Sequence, residues 1–422
     1  MDARLAVDDA ALGRAALAVL DANWTGSATV PAPGLYPHQW NLDSTLVAAG
    51  LAARPERTAR ARAELTGLLT AQWRDGMIPH IVFRPGDGYF PGPAVWRSAD
   101  CPAAPAGVAT SGLTQPPLQA YVVWRIWRRC PCEETAGFVR RVWPHLAAQH
   151  RYLSGSRDLG GAGLAAIVHP WESGMDDSPA WDAPLAALPF RAGVHEDRYV
   201  WLALRYRDAG YDPAYLRAEH PFAVEDPFFN GVWLASTWAM TRLAEVAGAG
   251  AGPYEEAAER IRGALLARLW DAADGGFLAR DLRADRTIPV RTIGGFGPML
   301  DPGMPAHVVD ALADLLESPR FMGAAGYPVP SCEIRAVEFD RARYWRGPSW
   351  VSANWLVRQA ALAHGRETLA ATLGATTLRL VRQSGFRECF DPFDGSGRGC
   401  RDFSSSAALT LDLLAPGGVP TG

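Results

Sequence analysis

About a dozen stretches of the chain repeat their apolar residues at the three- and four-residue spacing of a helix: 8–22, 44–54, 57–74, 116–129, 134–153, 196–209, 229–247, 254–271, 304–316, 350–363, 366–383 and 404–414. Each stretch carries an apolar face that must be buried against a neighbour, and few segments alternate as strands do. The connections are unequal. Residues 23–43, 76–114, 154–195, 273–302 and 317–349 form long ones, rich in Trp, Tyr, Pro, Gly and Asp. Helices joined alternately by short and long connections suit a ring of hairpins, with the long loops gathered at one end to build a pocket. The expected fold is therefore all-α, an (α/α)6 barrel whose long loops form the active-site face, with residues 1–422 as a single domain. No sequence repeat of fixed period supports a solenoid. GAGAGPY at 248–254 reads as a helix end and turn rather than a domain hinge, while Asp43-Ser44 and Pro116-Pro117 read as helix starts.

Composition removes several function classes. With 422 residues, 48% hydrophobic and 20% charged, the chain can bury a large core. A net charge of -4 and a pI near 6.2 give no basic footprint for nucleic acid or an anionic membrane surface, so the expected partner is small or uncharged. All 41 basic residues are Arg. The cysteines at 101, 130, 132, 332, 389 and 400 are too irregularly spread for a disulfide framework, and Cys130-Pro131-Cys132 has no second pair or His at zinc spacing. His38, His80, His169 and His195 share no short ligand spacing. No metal and no cofactor are expected. The N-terminus lacks a basic segment followed by an unbroken apolar one, and no apolar run reaches the length of about 18 residues that a membrane span needs. Cytoplasmic residence is expected; association into a homo-oligomer stays open.

Sixteen Trp are present, and their neighbours matter more than their number. Trp40 lies in YPHQWNLDS, Trp171 in HPWESGMDDSPAWD, and Trp345 and Trp350 in YWRGPSWVSANW. Each run sets an aromatic beside carboxylates, amides or Arg and a Gly or Pro. A sugar site needs that combination: a flat apolar face for the ring and polar groups for its hydroxyls. Hydrolysis with inversion needs one protonated carboxyl and one ionised carboxyl about 6.5–9.5 Å apart. In WESGMDDSP, Glu172, Asp176 and Asp177 crowd one loop between Trp171 and Trp181, where desolvation and like charge can keep one of them protonated. In SGFRECFDPFDGSGRG, Glu388 follows a helix, whereas Asp391 and Asp394, beside Pro392 and Gly395, read as turn formers. GPSW and GDGYFPGP lack the helix and Lys of a phosphate-binding loop, and Ser173, Ser349 and Ser404–Ser406 lie in no nucleophile elbow.

These runs together resemble glycoside hydrolase family 63 and, within it, the bacterial mannosylglycerate and glucosylglycerate hydrolases. The likeness runs from YPHQWNLDS through TSGLTQPP, HPWESGMDDSPAWD and YWRGPSWVSANW to SGFRECFDPFDGSGRG, nearly the whole chain. It implies an (α/α)6 barrel acting on α-linked glucose or mannose with inversion and without metal. It implies Asp176 as general acid, Glu388 as general base, and Asp177 as a neighbour. It also implies a sugar subsite of Tyr36, Trp40, Asp43, Gln115, Tyr344, Trp345, Gly347 and Trp350. A remote relation to trehalases of family 37, through the ESG-x-D run, points at the same acid. One feature departs from the pattern. The glycerate-specific members carry a long loop after the acid, with an Arg and a Tyr for the glycerate carboxylate; here only APLAALPFRAGVHE is present, with Arg191 and no Tyr. Arg191 is the candidate carboxylate clamp, against a salt bridge to Glu196 or plain exposure. The expected enzyme is an inverting α-glycosidase acting on glucosylglycerate or mannosylglycerate. The alternatives are an α-glucosidase with another aglycone, a sugar epimerase or isomerase using His, and a non-catalytic sugar binder.

Overall fold

The computed structural model describes residues 8–86, 88–191, 197–322 and 326–415. Among the described residues, twelve α-helices run for ten residues or more. They are α1 Asp9–Ala22, α2 Asn41–Leu51, α3 Thr58–Thr70, α4 Gln119–Arg129, α5 Glu133–Ser156, α6 Arg198–Asp208, α7 Pro227–Ala247, α8 Gly252–Arg268, α9 Ala306–Glu317, α10 Val351–Ala363, α11 Glu367–Ser384 and α12 Ser404–Leu413. They coincide with the apolar stretches read from the sequence, but eleven of them, not twelve, belong to the barrel.

Packing sorts the elements into two rings. α2, α4, α7, a 3-10 segment at Ile293–Leu300, α10 and α12 follow one another around the inside, and α12 closes back on α2. Outside them, α3 covers α2, α5 covers α4, α8 covers α7, α9 covers the 3-10 segment, α11 covers α10 and α1 covers α12. This is the (α/α)6 barrel. Inner helices are enclosed on nearly all sides: α2 is buried from Ser44 to Leu51 and α12 from Ser404 to Asp412. Two buried hydroxyls of α12 are satisfied by backbone carbonyls, Ser404 Oγ by Val30 at 2.7 Å and Ser406 Oγ by Arg387 at 2.7 Å.

The sixth inner element is the one that helical spacing does not reveal. Ile293–Leu300 reads IGGFGPML, and three glycines with Pro298 give it little helix propensity, so it fell inside the long connection 273–302. The same glycines are what the barrel needs there. A Cβ on Gly231 of α7 would collide with the carbonyl carbon of Gly297, and one on Gly297 would lie 2.9 Å from Phe228 Cα. Gly231→Ala is therefore expected to cost at least the ~1–3 kcal/mol typical of overpacking, read from urea unfolding. Gly263→Ala, whose Cβ meets open space in α8, should instead stabilise by about 0.5–1 kcal/mol. α6 is the helix outside the barrel; it lies within the excursion between α5 and α7.

The connections entering the inner elements span 23–40, 71–118, 157–226, 269–292, 318–350 and 385–403, whereas those leaving them are only 52–57, 130–132, 248–251, 301–305 and 364–366. Long loops thus collect where the inner helices begin, the end at which helix dipoles are positive. Two-residue antiparallel ladders tie these loops together. Gln39–Trp40 pairs with Ile81–Val82, and Cys389–Phe390 with Gly397–Arg398. The segments Ala166–Ile167, Val224–Glu225, Arg280–Asp281 and Arg286–Thr287 form a small sheet in that order. GAGAGPY is a helix end, with Gly248 left-handed at φ +71°. The start of α2 lies earlier than Asp43-Ser44 suggested, at Asn41, which frees Asp43 from capping.

Candidate active site

Trp40 leaves its ladder directly into α2 without a side-chain cap. Gln115, from the loop before α4, supplies one instead: its Oε1 accepts the Leu42 N–H at 2.9 Å, so an amide that lines the pocket also satisfies an orphan donor of the first helical turn. Asp43, one residue on, turns its carboxylate to the barrel axis and accepts the Ser405 hydroxyl from the first turn of α12. Burial, with the charge of Glu388 nearby, pushes its carboxyl up to about 6 although the Ser405 hydroxyl works the other way.

The WESGMDDSP run begins in a 3-10 turn, Pro170–Ser173, followed by Gly174 at φ +70°, a left-handed step that suits glycine. Its three carboxylates meet different fates. Glu172 is fully buried in a bidentate pair with Arg157 (Nη1 to Oε2 2.7 Å) and accepts the backbone N–H groups of Thr114 at 3.2 Å and Val168 at 2.8 Å. It anchors the loop. Asp177 turns to Arg343 at 3.0 Å and Arg346 at 3.4 Å. Asp176 lines the pocket, and among the described residues no cation pairs with it. Burial first, then the charges of Glu388, Asp43 and Asp177, push its carboxyl up to about 8, so it is protonated at neutral pH. Tyr199 donates to its backbone carbonyl at 2.5 Å, and the buried Trp181 donates to that of Met175 at 2.8 Å, which makes Trp181 a brace for the loop. Glu172→Ala leaves the Arg157 guanidinium buried and unpaired; a loss of about 3–5 kcal/mol in thermal or urea unfolding is expected.

Glu388 enters from the loop after α11 and is held from two sides. Its Oε1 accepts the hydroxyls of Tyr36 at 3.0 Å and Tyr344 at 2.9 Å, and its Oε2 the Cys400 N–H at 3.1 Å. Gly399, at φ +64°, allows that approach, because a Cβ there would strike Oε2. In all three contacts Glu388 is the acceptor. Asp391 is a turn anchor, gripped by Arg341 at 2.6 Å and Arg398 at 2.7 Å. The aromatic wall comes from the loop before α10. Trp345 and Trp350 stack with centroids 4.0 Å apart and planes 4° from parallel, while Trp350 Nε1 donates to the Tyr344 carbonyl at 3.1 Å. Tyr36 stands edge-on to Trp40 at 5.4 Å.

Tyr36, Trp40, Asp43, Gln115, Asp176, Tyr344, Trp345, Trp350 and Glu388 thus line one pocket of about 630 Å³, mouth included. Gly347 and Arg191 do not line it. Gly347 serves the loop instead, since a Cβ would lie 2.5 Å from the Asp340 carbonyl oxygen. Arg191 is exposed; His195 and the proposed partner Glu196 lie outside the described residues. Sequence reading missed His80, Ser352, Phe403 and Ser405, which also line the pocket, and Tyr89, edge-on to Trp40 at 5.3 Å. His80 read as structural; burial holds its imidazole down at about 3, hence neutral, and it stacks on Trp171. Only Tyr89, within GDGYFPGP, carried a signal, an aromatic in a Gly- and Pro-rich loop.

Comparison with known proteins agrees with this architecture. The model of the mannosylglycerate hydrolase MGH1-like glycoside hydrolase domain matches residues 36–406. A mannosylglycerate hydrolase of Thermus thermophilus is 40% identical, with 94% of this chain and 99% of the relative covered. A glucosylglycerate hydrolase of Mycolicibacterium hassiacum is 36% identical, with 94% and 96% covered. The crystal structure of a family 63 mannosylglycerate hydrolase from Thermus thermophilus, with Tris and D-glycerate, superposes with a TM-score of 0.87 at 38% identity, covering 95% of this chain and 99% of that one. The chain belongs to the MGH1-like glycoside hydrolases of family 63.

Proposed function

We propose that the chain is an inverting α-glycosidase that splits glucosylglycerate or mannosylglycerate into sugar and glycerate, with Asp176 as general acid and Glu388 as general base. One observation carries the reading: a carboxyl raised to about 8 and a donor-held carboxylate line the same pocket, each without a cation among the described residues. Asp176 delivers its proton to the glycosidic oxygen as the bond to the anomeric carbon lengthens, and positive charge spreads over the ring as in an oxocarbenium ion. Glu388 takes a proton from water on the opposite ring face, and that water attacks to give the β-anomer. Tyr36 and Tyr344 keep Glu388 aimed. Trp40, Trp345 and Trp350 offer apolar faces to the sugar, while Asp43, Gln115 and the neutral His80 offer polar groups to its hydroxyls. The names of the similar hydrolases support the glycerate aglycone. No helix of the described residues is long and apolar enough to cross a membrane, and cytoplasmic residence is part of the proposal.

The test is to incubate the enzyme with glucosylglycerate, mannosylglycerate and an aryl α-glucoside and follow the anomeric protons by NMR. Early accumulation of the β-sugar from a glycerate substrate is expected. Early accumulation of the α-sugar refutes inversion, and turnover of the aryl glucoside alone refutes the glycerate aglycone.

A further inference from the structure

The sugar site leaves unused two thiols in the connection 130–132 between α4 and α5, at the end of the barrel opposite the pocket. Cys132 N–H donates to the Cys130 carbonyl at 3.0 Å, closing a γ-turn on Pro131, whose ring fixes the φ that turn needs. The turn brings the two side chains to one side, with Sγ atoms 3.6 Å apart. Among the described residues no other two sulfurs approach this closely. A γ-turn sets its outer residues at roughly the Cα separation of about 5.5 Å that a disulfide spans, so closing the bond needs side-chain rotation and little backbone movement. Both thiols reach solvent: Cys132 is exposed and Cys130 partly so, whereas Cys332 and Cys389 are buried.

We infer that Cys130 and Cys132 form a thiol–disulfide exchange site, converted to an intramolecular disulfide by low-molecular-weight disulfides. The surroundings assign the order of events. Cys132 stands at the N-terminus of α5, where the Thr135 hydroxyl, 3.4 Å from its sulfur, and then the Thr135 backbone N–H draw its thiol below the usual range. The hydrogen bond to Cys132 and burial raise Cys130. Cys132 is thus the attacking thiolate and Cys130 the resolving thiol. Cys132 Sγ attacks one sulfur of the small disulfide and displaces a thiolate. Cys130 then gives its proton to solvent, attacks Cys132 Sγ and displaces the second thiolate. The two cysteines lose two electrons, and the small disulfide is reduced to two thiols. The bond closes too short a loop to gain much from chain entropy and is open to solvent, so thiol reductants reverse it readily.

The native full-length chain is to be treated with oxidised glutathione, alkylated with N-ethylmaleimide without reduction, and mapped with trypsin. The peptide 130–140, bounded by Arg129 and Arg140, is expected to lose the mass of two hydrogens and both alkylation sites, and dithiothreitol restores both. Cys130→Ser should trap glutathione on Cys132, since the resolving thiol is gone. A lasting glutathione adduct on the wild-type peptide, full alkylation of both cysteines, or a disulfide between chains overturns the inference. The wild-type readout stands whether or not the variant folds.

Discussion

Asp176→Asn is expected to lower kcat on glucosylglycerate or mannosylglycerate by about 10³-fold, within the 10²–10⁴ that a positioned general acid contributes. The substitution preserves shape and removes the proton that the leaving oxygen needs. An aryl α-glucoside, whose phenolate leaves with little assistance, should lose much less, on the order of tenfold. The pH profile carries the same information. Asp176 is raised to about 8, so the active acid form is present below that value and is lost as pH rises through it. The wild type is therefore expected to show an alkaline limb near pH 8 that Asp176→Asn abolishes. Linkage supplies a second readout: a carboxyl raised on folding contributes stability that is fully present below its unfolded value near 4 and lost as pH climbs to the folded one. Asp176→Asn should accordingly raise Tm relative to the wild type above pH 8, a site that trades stability for chemistry. Equal losses on both substrates, with the alkaline limb intact, would falsify the acid assignment.

How much of this was legible in the sequence follows from the range of the interactions concerned. Eleven barrel helices announce themselves because an apolar stripe is a local pattern that burial must honour. Ile293–Leu300 does not, because its role rests on what is missing: glycines that let α7 approach have no stripe to display. The carboxylates divide the same way. Glu172, Asp176 and Asp177 look alike in WESGMDDSP, and the chain alone ranked Asp176 first only by resemblance. Their separation is made by Arg157, Arg343 and Arg346, and the latter two lie more than 160 residues away. Trp40, Trp345 and Trp350 were legible because aromatics beside polar groups in Gly- and Pro-rich loops are unusual for a core. Trp171 and Trp181, with the same local signature, pack within the loop that carries Asp176 rather than line the pocket. Ser405 carried no signal at all, for a hydroxyl in the small-residue run SSSAAL reads as helix packing until Asp43 is seen to face it. Arg191 was marked as the one Arg of a short loop, a candidate clamp for a carboxylate; it is exposed and does not line the pocket.

Glu388→Ala tests the other half of the reaction and separates a base from a merely structural carboxylate. Removing the base should lower kcat by roughly 10²–10⁴-fold with little change in KM, because water activation is needed in the transition state and not for binding. Tyr36 and Tyr344 lose their common acceptor, so the phenols themselves are the main concern. Tyr344→Phe controls for this: it removes one donor from Oε1, leaves Tyr36 and the Cys400 N–H in place, and is expected to cost about 10- to 100-fold, the scale of one hydrogen bond to a charged group. The decisive reagent is azide. It attacks without surrendering a proton, so it needs no base, and the shortened side chain makes room for it beside the ring. With an aryl α-glucoside, Glu388→Ala in azide should regain turnover and release the β-glycosyl azide, since attack still comes from the face opposite the leaving group. Azide should do nothing for Asp176→Asn on the glycerate substrate, where the missing proton is on the other side of the bond. If azide yields the α-azide, configuration is retained, Glu388 lies on the leaving-group face of a double displacement through a covalent intermediate, and the inverting assignment fails. If Glu388→Ala retains near-wild-type kcat, no rearrangement of roles rescues the assignment, and the donors around Glu388 hold a carboxylate that the reaction does not use.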